Sequence, residues 1–284
     1  MENVLSVRDL HISVRGEKPL SLVKNVSFDV EAGRCLGILG ESGSGKSLTC
    51  GSLVGLLGSE YAVSGEVRFN GRNLLTANRE ELRRLRGAEI SMILQNPMTS
   101  FDPLRTIESH ILETLRAHGR VSRKEALAAG REMLARMRIE DPDGAMRRYP
   151  HQMSGGMLQR TMIGLALLLG PKLIVADEPT TALDSITRFE VVEEIRRMRE
   201  EYECAMIFVS HDLGVLASVA DSVLVMHEGE VVEKGELRRV FASPRSEQAR
   251  YLLGTRFSLI DRFRRMVRNE GGAPSRMDYA AASF

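Results

Sequence analysis

The sequence has no long apolar run. No stretch of its 284 residues reaches the ~18–20 apolar residues that cross a bilayer, so no membrane-spanning helix is expected. The N-terminus, MENVLSVRDL, lacks a basic segment followed by an apolar one and is not read as a secretory signal. An excess of one charge is also missing. Lys and Arg number 39 against 38 Asp and Glu, which removes any overall electrostatic case for nucleic acid or an anionic membrane as partner. Cysteine is scarce. Cys35, Cys50 and Cys204 lie apart, each within an apolar run, and read as buried thiols of a reducing compartment. None of the six histidines has ligand spacing with a second histidine or cysteine, so the chain offers no transition-metal site of its own. No internal repeat is visible. What is left is a globular chain, 43% apolar and 27% charged, long enough for one large or two modest domains. It is expected in the cytosol, held at a membrane only through another subunit.

Against these absences, Gly40 to Ser47 reads GESGSGKS and fits the phosphate-binding pattern G-x-x-x-x-G-K-[ST] at every specified position. Chance gives such a match roughly once per hundred chains of this length. The glycines Gly40, Gly43 and Gly45 let the backbone turn tightly, and the N–H groups of Glu41, Ser42 and Ser44 can then approach an anion. Lys46 would bring a positive charge to the β- and γ-phosphates, and Ser47 a hydroxyl to Mg²⁺. Lys46 also opens a helix, whose N-terminal partial charge favours phosphate. The flanks agree: Arg34 to Leu39 is a short apolar strand, and Leu48 to Leu57 continues as an apolar helix.

Along the chain, Val4 to Val14 and Ser27 to Val30 suggest an antiparallel β-lobe. Ser64 to Phe69 reads as a strand closed by an Asn70-Gly71 turn. Ile90 to Leu94 is another strand, ending at Gln95. Signals are then helical from Thr106 to about Gly170, after a Pro-containing loop. Ser122 and Glu125 have capping-box spacing, Asp141-Pro142-Asp143-Gly144 reads as a break, and Ser154 starts another helix. Leu173 to Ala176 and Cys204 to Val209 are buried strands on either side of a helix from Ser185 to Glu201. In that helix Phe189, Val192, Ile195 and Met198 are assigned to one buried face. A hairpin turns at Glu228-Gly229, a short helix follows Pro244, and Gly271 to Phe284 reads as a disordered tail.

Asp177-Glu178 directly follows the Leu173–Ala176 strand, where α/β sheets bind ligands. Asp177 would hold the Mg²⁺ shell, and Glu178 would orient or deprotonate the attacking water. Ser154-Gly155-Gly156 at a helix start is a second anion site. Together these three stretches resemble the ATP-binding subunits of ABC transporters, over about Val4 to Leu253. The resemblance implies an α/β fold: a P-loop NTPase (RecA-like) core with an antiparallel β-lobe and a helical insert. The ABC-type nucleotide-binding domain would cover 1–254, its helical subdomain about 96–170, and 255–284 would be a partly disordered tail. It further implies that Gln95 is the Q-loop glutamine, sensing Mg²⁺ and the γ-phosphate and connecting to the transmembrane subunit. Asp184, in Ala182-Leu183-Asp184, would be the D-loop residue at a dimer interface, and His211 the switch histidine on the γ-phosphate. His11, His110, His118, His151 and His227 carry no assigned role. The implied ligands are ATP and Mg²⁺. The implied partners are a second ATPase copy or sister arranged head to tail, two membrane-spanning permease subunits and a periplasmic solute-binding protein, with no nucleic acid. The implied place is the cytoplasmic face of the inner membrane. The family often stacks adenine on an aromatic residue near Val14, and none is close to it in sequence.

Within the family, Gln95-Asn96-Pro97, Ser100-Phe101-Asp102-Pro103-Leu104 and Tyr149 to Met157 resemble the peptide/opine/nickel importers. Met157 stands where many members have Gln, a variation common in that branch. Ser47-Leu48-Thr49-Cys50, Gly156 to Arg160 and the lack of cysteine after Cys204 resemble its nickel-import subunit, so nickel uptake is the favoured function and di- or oligopeptide uptake the alternative. A non-transporting ABC-type ATPase of DNA repair or translation would show a second unit or a coiled-coil insert. A small P-loop kinase would have no use for the Ser154-Gly155-Gly156 helix.

Overall fold

The computed structural model describes residues 3–181 and 183–254. The expected tail from 255 onward, and Ala182, lie outside the described residues. β1 (Asn3–Val14) and β2 (Leu20–Glu31) pair antiparallel. Their apolar residues alternate inward until Asp9, at φ 48°, inserts a bulge and moves the buried set from Val7 to Leu10. β3 (Cys35–Gly40) is buried along its whole length, and α1 (Lys46–Leu53) follows it. α1 stops four residues short of the expected Leu57, because the chain turns at Val54 and Gly55 takes φ 63°.

β4 (Tyr61–Phe69) lies antiparallel to β1 and joins β5 (Arg72–Asn73) through Asn70 and Gly71, both at positive φ as this hairpin turn demands. α2 (Arg79–Leu85) carries a full capping box between Asn78 and Glu81, and β6 (Ile90–Ile93) precedes the expected insert. There, α3 (Ile107–His118) and α4 (Arg123–Arg136) come first, and the predicted Ser122–Glu125 box caps α4. Asp141-Pro142-Asp143-Gly144 begins a helix instead of breaking one. Asp141 accepts the Gly144 N–H and Pro142 opens α5 (Pro142–Arg147), since a proline at the first helical position loses no hydrogen bond. α6 (Gly155–Leu167) starts at Ser154 as expected.

β7 (Leu173–Asp177), α7 (Ser185–Tyr202), β8 (Ala205–Val209) and α8 (Leu213–Val219) alternate. β9 (Ser222–His227), β10 (Glu230–Glu236) and α9 (Leu237–Ala242) follow, and residues 247–254 are helical. The expected α7 face needs correction: Phe189 is 64% exposed, while Val191, Val192 and Ile195 are buried, and the Met198 side chain lies outside the described residues.

Among the described residues the strands form two sheets. One has the order β2-β1-β4-β5, the other β10-β9-β3-β8-β7-β6. In the larger sheet β6, β7, β8, β3 and β9 run parallel. Its alternate side chains feed two cores. Ile174, Ala176, Met206 and Phe208 join the insert, α7 and α8, while Leu173, Val175, Ile207 and Val209 join the β-lobe. All three cysteines are buried, and burial pushes the Cys35 thiol up to about 12 and the Cys204 thiol to about 11.

Candidate active site

The loop between β3 and α1 is wound tightly. Gly43 and Gly45 sit at φ 81° and 95°, where a side chain would be strained. A Cβ on Gly40 would lie 2.5 Å from both the Met226 carbonyl and Ser44 Oγ, so only glycine fits there. Lys46 is buried and folds back over the loop. Its Nζ donates to the carbonyls of Gly40 (3.0 Å) and Glu41 (2.6 Å) and reaches Ser44 Oγ at 3.4 Å. Glu41, Ser42, Gly43 and Ser47 are exposed at the mouth. The result is a concave loop with an ammonium at its centre and a helix N-terminus beneath it, which is an anion cradle.

Asp177 ends β7 beside this cradle. It is 7% exposed, Ser47 hydrogen-bonds to it, and its Oδ1 is buried with no partner. Burial, aided by the neighbouring Glu178 charge, pushes its carboxyl above the usual range, against the pull of Ser47 and Lys46. An ionised buried carboxylate with an unused oxygen is held at a cost that a cation would relieve.

Parallel strands β6, β7 and β8 lie side by side, so the residues that leave their C-terminal ends meet. Gln95 follows β6, Glu178 follows β7 and His211 follows β8. Gln95 Nε2 donates to Glu178 Oε2 at 3.3 Å, and His211 Nδ1 lies 3.3 Å from the same oxygen. Thr181 Oγ1 donates to it at 3.1 Å. Glu178 itself takes φ 48°, with its N–H on the Val209 carbonyl at 3.0 Å. A glutamate rarely adopts that conformation, and here it turns the side chain out of the strand toward Gln95 and His211.

Ser154 caps α6, accepting the Met157 N–H at 3.2 Å, and Gly155 is exposed. This helix start meets the segment after β7. A Cβ on Gly156 would touch Leu183 and Thr187 at 3.6 and 3.9 Å. Asp184 accepts the Thr187 N–H at 3.0 Å at the start of α7. The sequence-predicted residues therefore fall into a cradle (Gly40 to Ser47 with Asp177), an oxygen-centred cluster (Gln95, Glu178, His211), and an exposed helix start with Asp184 nearby.

Three residues were missed by sequence reasoning. Thr181 joins the cluster. Gln159, fully buried on α6, donates to the Pro179 carbonyl at 2.5 Å. Its signal was a long polar side chain among the apolar residues Leu158, Met162 and Ile163. Tyr61 pairs directly across from Val14, and Arg15 Nε donates to the Tyr61 carbonyl at 3.1 Å. The expectation that no aromatic lies near Val14 holds along the strand and fails across the sheet.

The family model described as ABC transporter matches residues 23–181. The metal-staphylopine import system ATP-binding protein CntD of Staphylococcus aureus is 41% identical over 249 residues, 88% of this chain and 92% of that protein. The oligopeptide transport ATP-binding protein OppD of Salmonella typhimurium is 41% identical, over 85% of this chain and 72% of its own length. A solved dimeric ATP-binding cassette in a post-hydrolysis state, bound to ADP and Pi, superposes with a TM-score of 0.75 at 27% identity. The match covers 82% of this chain and 99% of that one.

Proposed function

Because the chain belongs to the ABC transporter family, as an ATP-binding subunit of its peptide and metal-chelate importers, we propose that its ATP hydrolysis drives uptake of nickel, free or chelated. The observation that carries the hydrolytic part is the meeting of Gln95, Glu178 and His211 at one carboxylate oxygen, next to the Lys46 cradle. Lys46 and the N–H groups of the 40–47 loop would hold the β- and γ-phosphates. Glu178 would align water against the γ-phosphate and take its proton, with Gln95 and His211 fixing the carboxylate and His211 reaching the phosphate. Lys46 would exchange its Gly40 and Glu41 carbonyls for phosphate oxygens.

The residues present fit Mg²⁺, a hard cation that prefers oxygen. Ser47, Asp177 and Gln95 would hold it, and the partnerless buried Asp177 Oδ1 is the atom it would satisfy. When bound, the ion supplies neutralisation of phosphate charge.

The exposed Ser154-Gly155-Gly156 start and Asp184 would complete the nucleotide site of a second copy or sister ATPase, head to tail. No helix among the described residues is long and apolar enough to cross a membrane. The chain would work peripherally, on the cytoplasmic face of the inner membrane, held there by the permease subunits. A groove of about 460 Å³ between β6 and the insert, lined by Leu56, Leu94, Phe101, Met162 and Leu165, would seat a permease subunit close to Gln95. A periplasmic binding protein would deliver the solute. The nucleotide-binding unit would comprise 1–254, with 96–170 as its helical subdomain.

For cargo, support for nickel comes from the Ser47-Leu48-Thr49-Cys50 and Gly156 to Arg160 stretches and from a relative named for metal-staphylopine import. A second reading, peptide uptake, has its own support in the equal 41% identity to OppD. Deleting the gene separates them. Under the first reading cellular nickel and nickel-dependent enzyme activity fall, and added nickel restores them. Intact nickel uptake with lost growth on di- or oligopeptides establishes the second.

A further inference from the structure

Gln159 lies one turn into α6, between the exposed Ser154-Gly155 start and the segment that leaves β7. Its side chain is fully buried, yet only half of its amide is used. Nε2 donates to the Pro179 carbonyl, and Oε1 has no partner. A buried polar side chain in an apolar helix face costs free energy unless its bonds return something. An apolar residue would remove the orphaned Oε1 and leave the buried Pro179 carbonyl without this donor instead. Pro179 is also a stiff receiver. Its ring fixes φ, and it directly follows Glu178, the residue with the strained backbone and the shared carboxylate oxygen. A second contact runs in parallel, where Gly156 lets Leu183 and Thr187 approach the helix start.

We propose that Gln159 is a positioning residue that ties the start of α6 to the backbone carrying Glu178, so that the two move as one body. The proposal rests on the ATPase reading above and adds to it. In that reading Glu178 serves the chain's own nucleotide while the α6 start serves a second copy's. The Gln159–Pro179 hydrogen bond then joins the two sites through a single chain. Hydrolysis at one site shifts the Glu178–Pro179 backbone, and the α6 start follows. The bond acts on the alignment of Glu178 and leaves the phosphate cradle untouched, so it governs turnover and not nucleotide affinity.

The test uses Gln159→Met, which keeps the volume and removes both the donor to Pro179 and the orphaned Oε1. With purified full chain, together with its sister ATPase if it has one, and Mg-ATP, kcat is expected to fall about tenfold while KM stays within about twofold, the melting midpoint dropping by a few degrees at most and the chain still folded at the assay temperature. Unchanged kcat per folded molecule overturns the proposal, as does a lowered midpoint with kinetics intact, which is the mark of a packing role alone. A wild-type chain without turnover, both alone and with its sister ATPase, sinks the ATPase reading and this proposal with it. Turnover in wild type with an unimpaired variant overturns this proposal only. If Gln159→Met does not fold, hydrogen exchange on wild type decides. ADP is added to chain verified as monomer, so that no second copy covers the helix start. Amides at 155–158 and at 178, 180 and 181 should gain protection together; a response confined to 178, 180 and 181 overturns the proposal.

Discussion

Lys46 is the one side chain of the cradle whose positive charge sits where the loop carbonyls converge, with Nζ 2.6 Å from the Glu41 oxygen. Lys46→Ala is therefore expected to reduce ATP turnover below about a few per cent of wild type, because a bare loop dipole does not replace a full charge against phosphate. Asp177 makes the opposite kind of prediction. Burial raises its carboxyl above the ordinary 3.8, so between the ordinary and the raised value the folded state holds a proton that the unfolded chain has released. Stability from this group is full below the ordinary value and is lost as pH rises through the folded one. At neutral pH, without nucleotide, the ionised Asp177 is a standing cost, and Asp177→Asn should raise the melting midpoint at about 2–4 °C per kcal/mol recovered. The gain should vanish near pH 4, and Mg-ATP should no longer stabilise the variant. A melt series with and without Mg-ATP reads both effects. The cradle residues and the acid pair were legible one by one, because each is fixed by a local motif, whereas Thr181 carried no such signal. Their convergence on Glu178 Oε2 was not, because it depends on the lateral order β6-β7-β8, which local pattern does not encode.

Three elements whose ends carry unambiguous local chemistry were read correctly. Ser122 and Glu125 cap α4, Asn70-Gly71 turns β4 into β5, and Glu228-Gly229 closes the β9–β10 hairpin. Ser122→Ala should cost about 1 kcal/mol, the usual worth of such a cap. Because α4 lies away from the cradle, the melt should shift and the ATPase rate should not. Misreadings have physical causes. Phe189, Val192, Ile195 and Met198 step three residues at a time, and each step slides the stripe about 60° around a helix with 3.6 residues per turn. Phe189 is thereby carried out of the face that Val192 and Ile195 share, and Val191 takes its place. Asp141-Pro142-Asp143-Gly144 serves a turn and a helix start equally well, and the packing of α5 against α4 decides for the helix.

At the scale of the whole molecule, the exposed α6 start and the cluster around Glu178 lie in one chain, and the proposed site needs a second copy to close. Glu178→Gln keeps the phosphate cradle and loses the proton acceptor. With ATP it should accumulate as a dimer on size exclusion, alone or with its sister ATPase. A monomer under those conditions removes the shared-site arrangement. The larger sheet is a partition between two cores, with Leu173, Val175, Ile207 and Val209 serving one side and Ile174, Ala176, Met206 and Phe208 the other. Membership is thus a matter of parity. A substitution in β7 or β8 perturbs one side, whereas deletion of a single residue reverses odd and even for the rest of the strand and sends every following side chain to the wrong core. It would also turn Asp177 away from the cradle. In a library of single-codon deletions these strands should read as forbidden ground, at positions where conservative replacements such as Val175→Ile still yield folded protein.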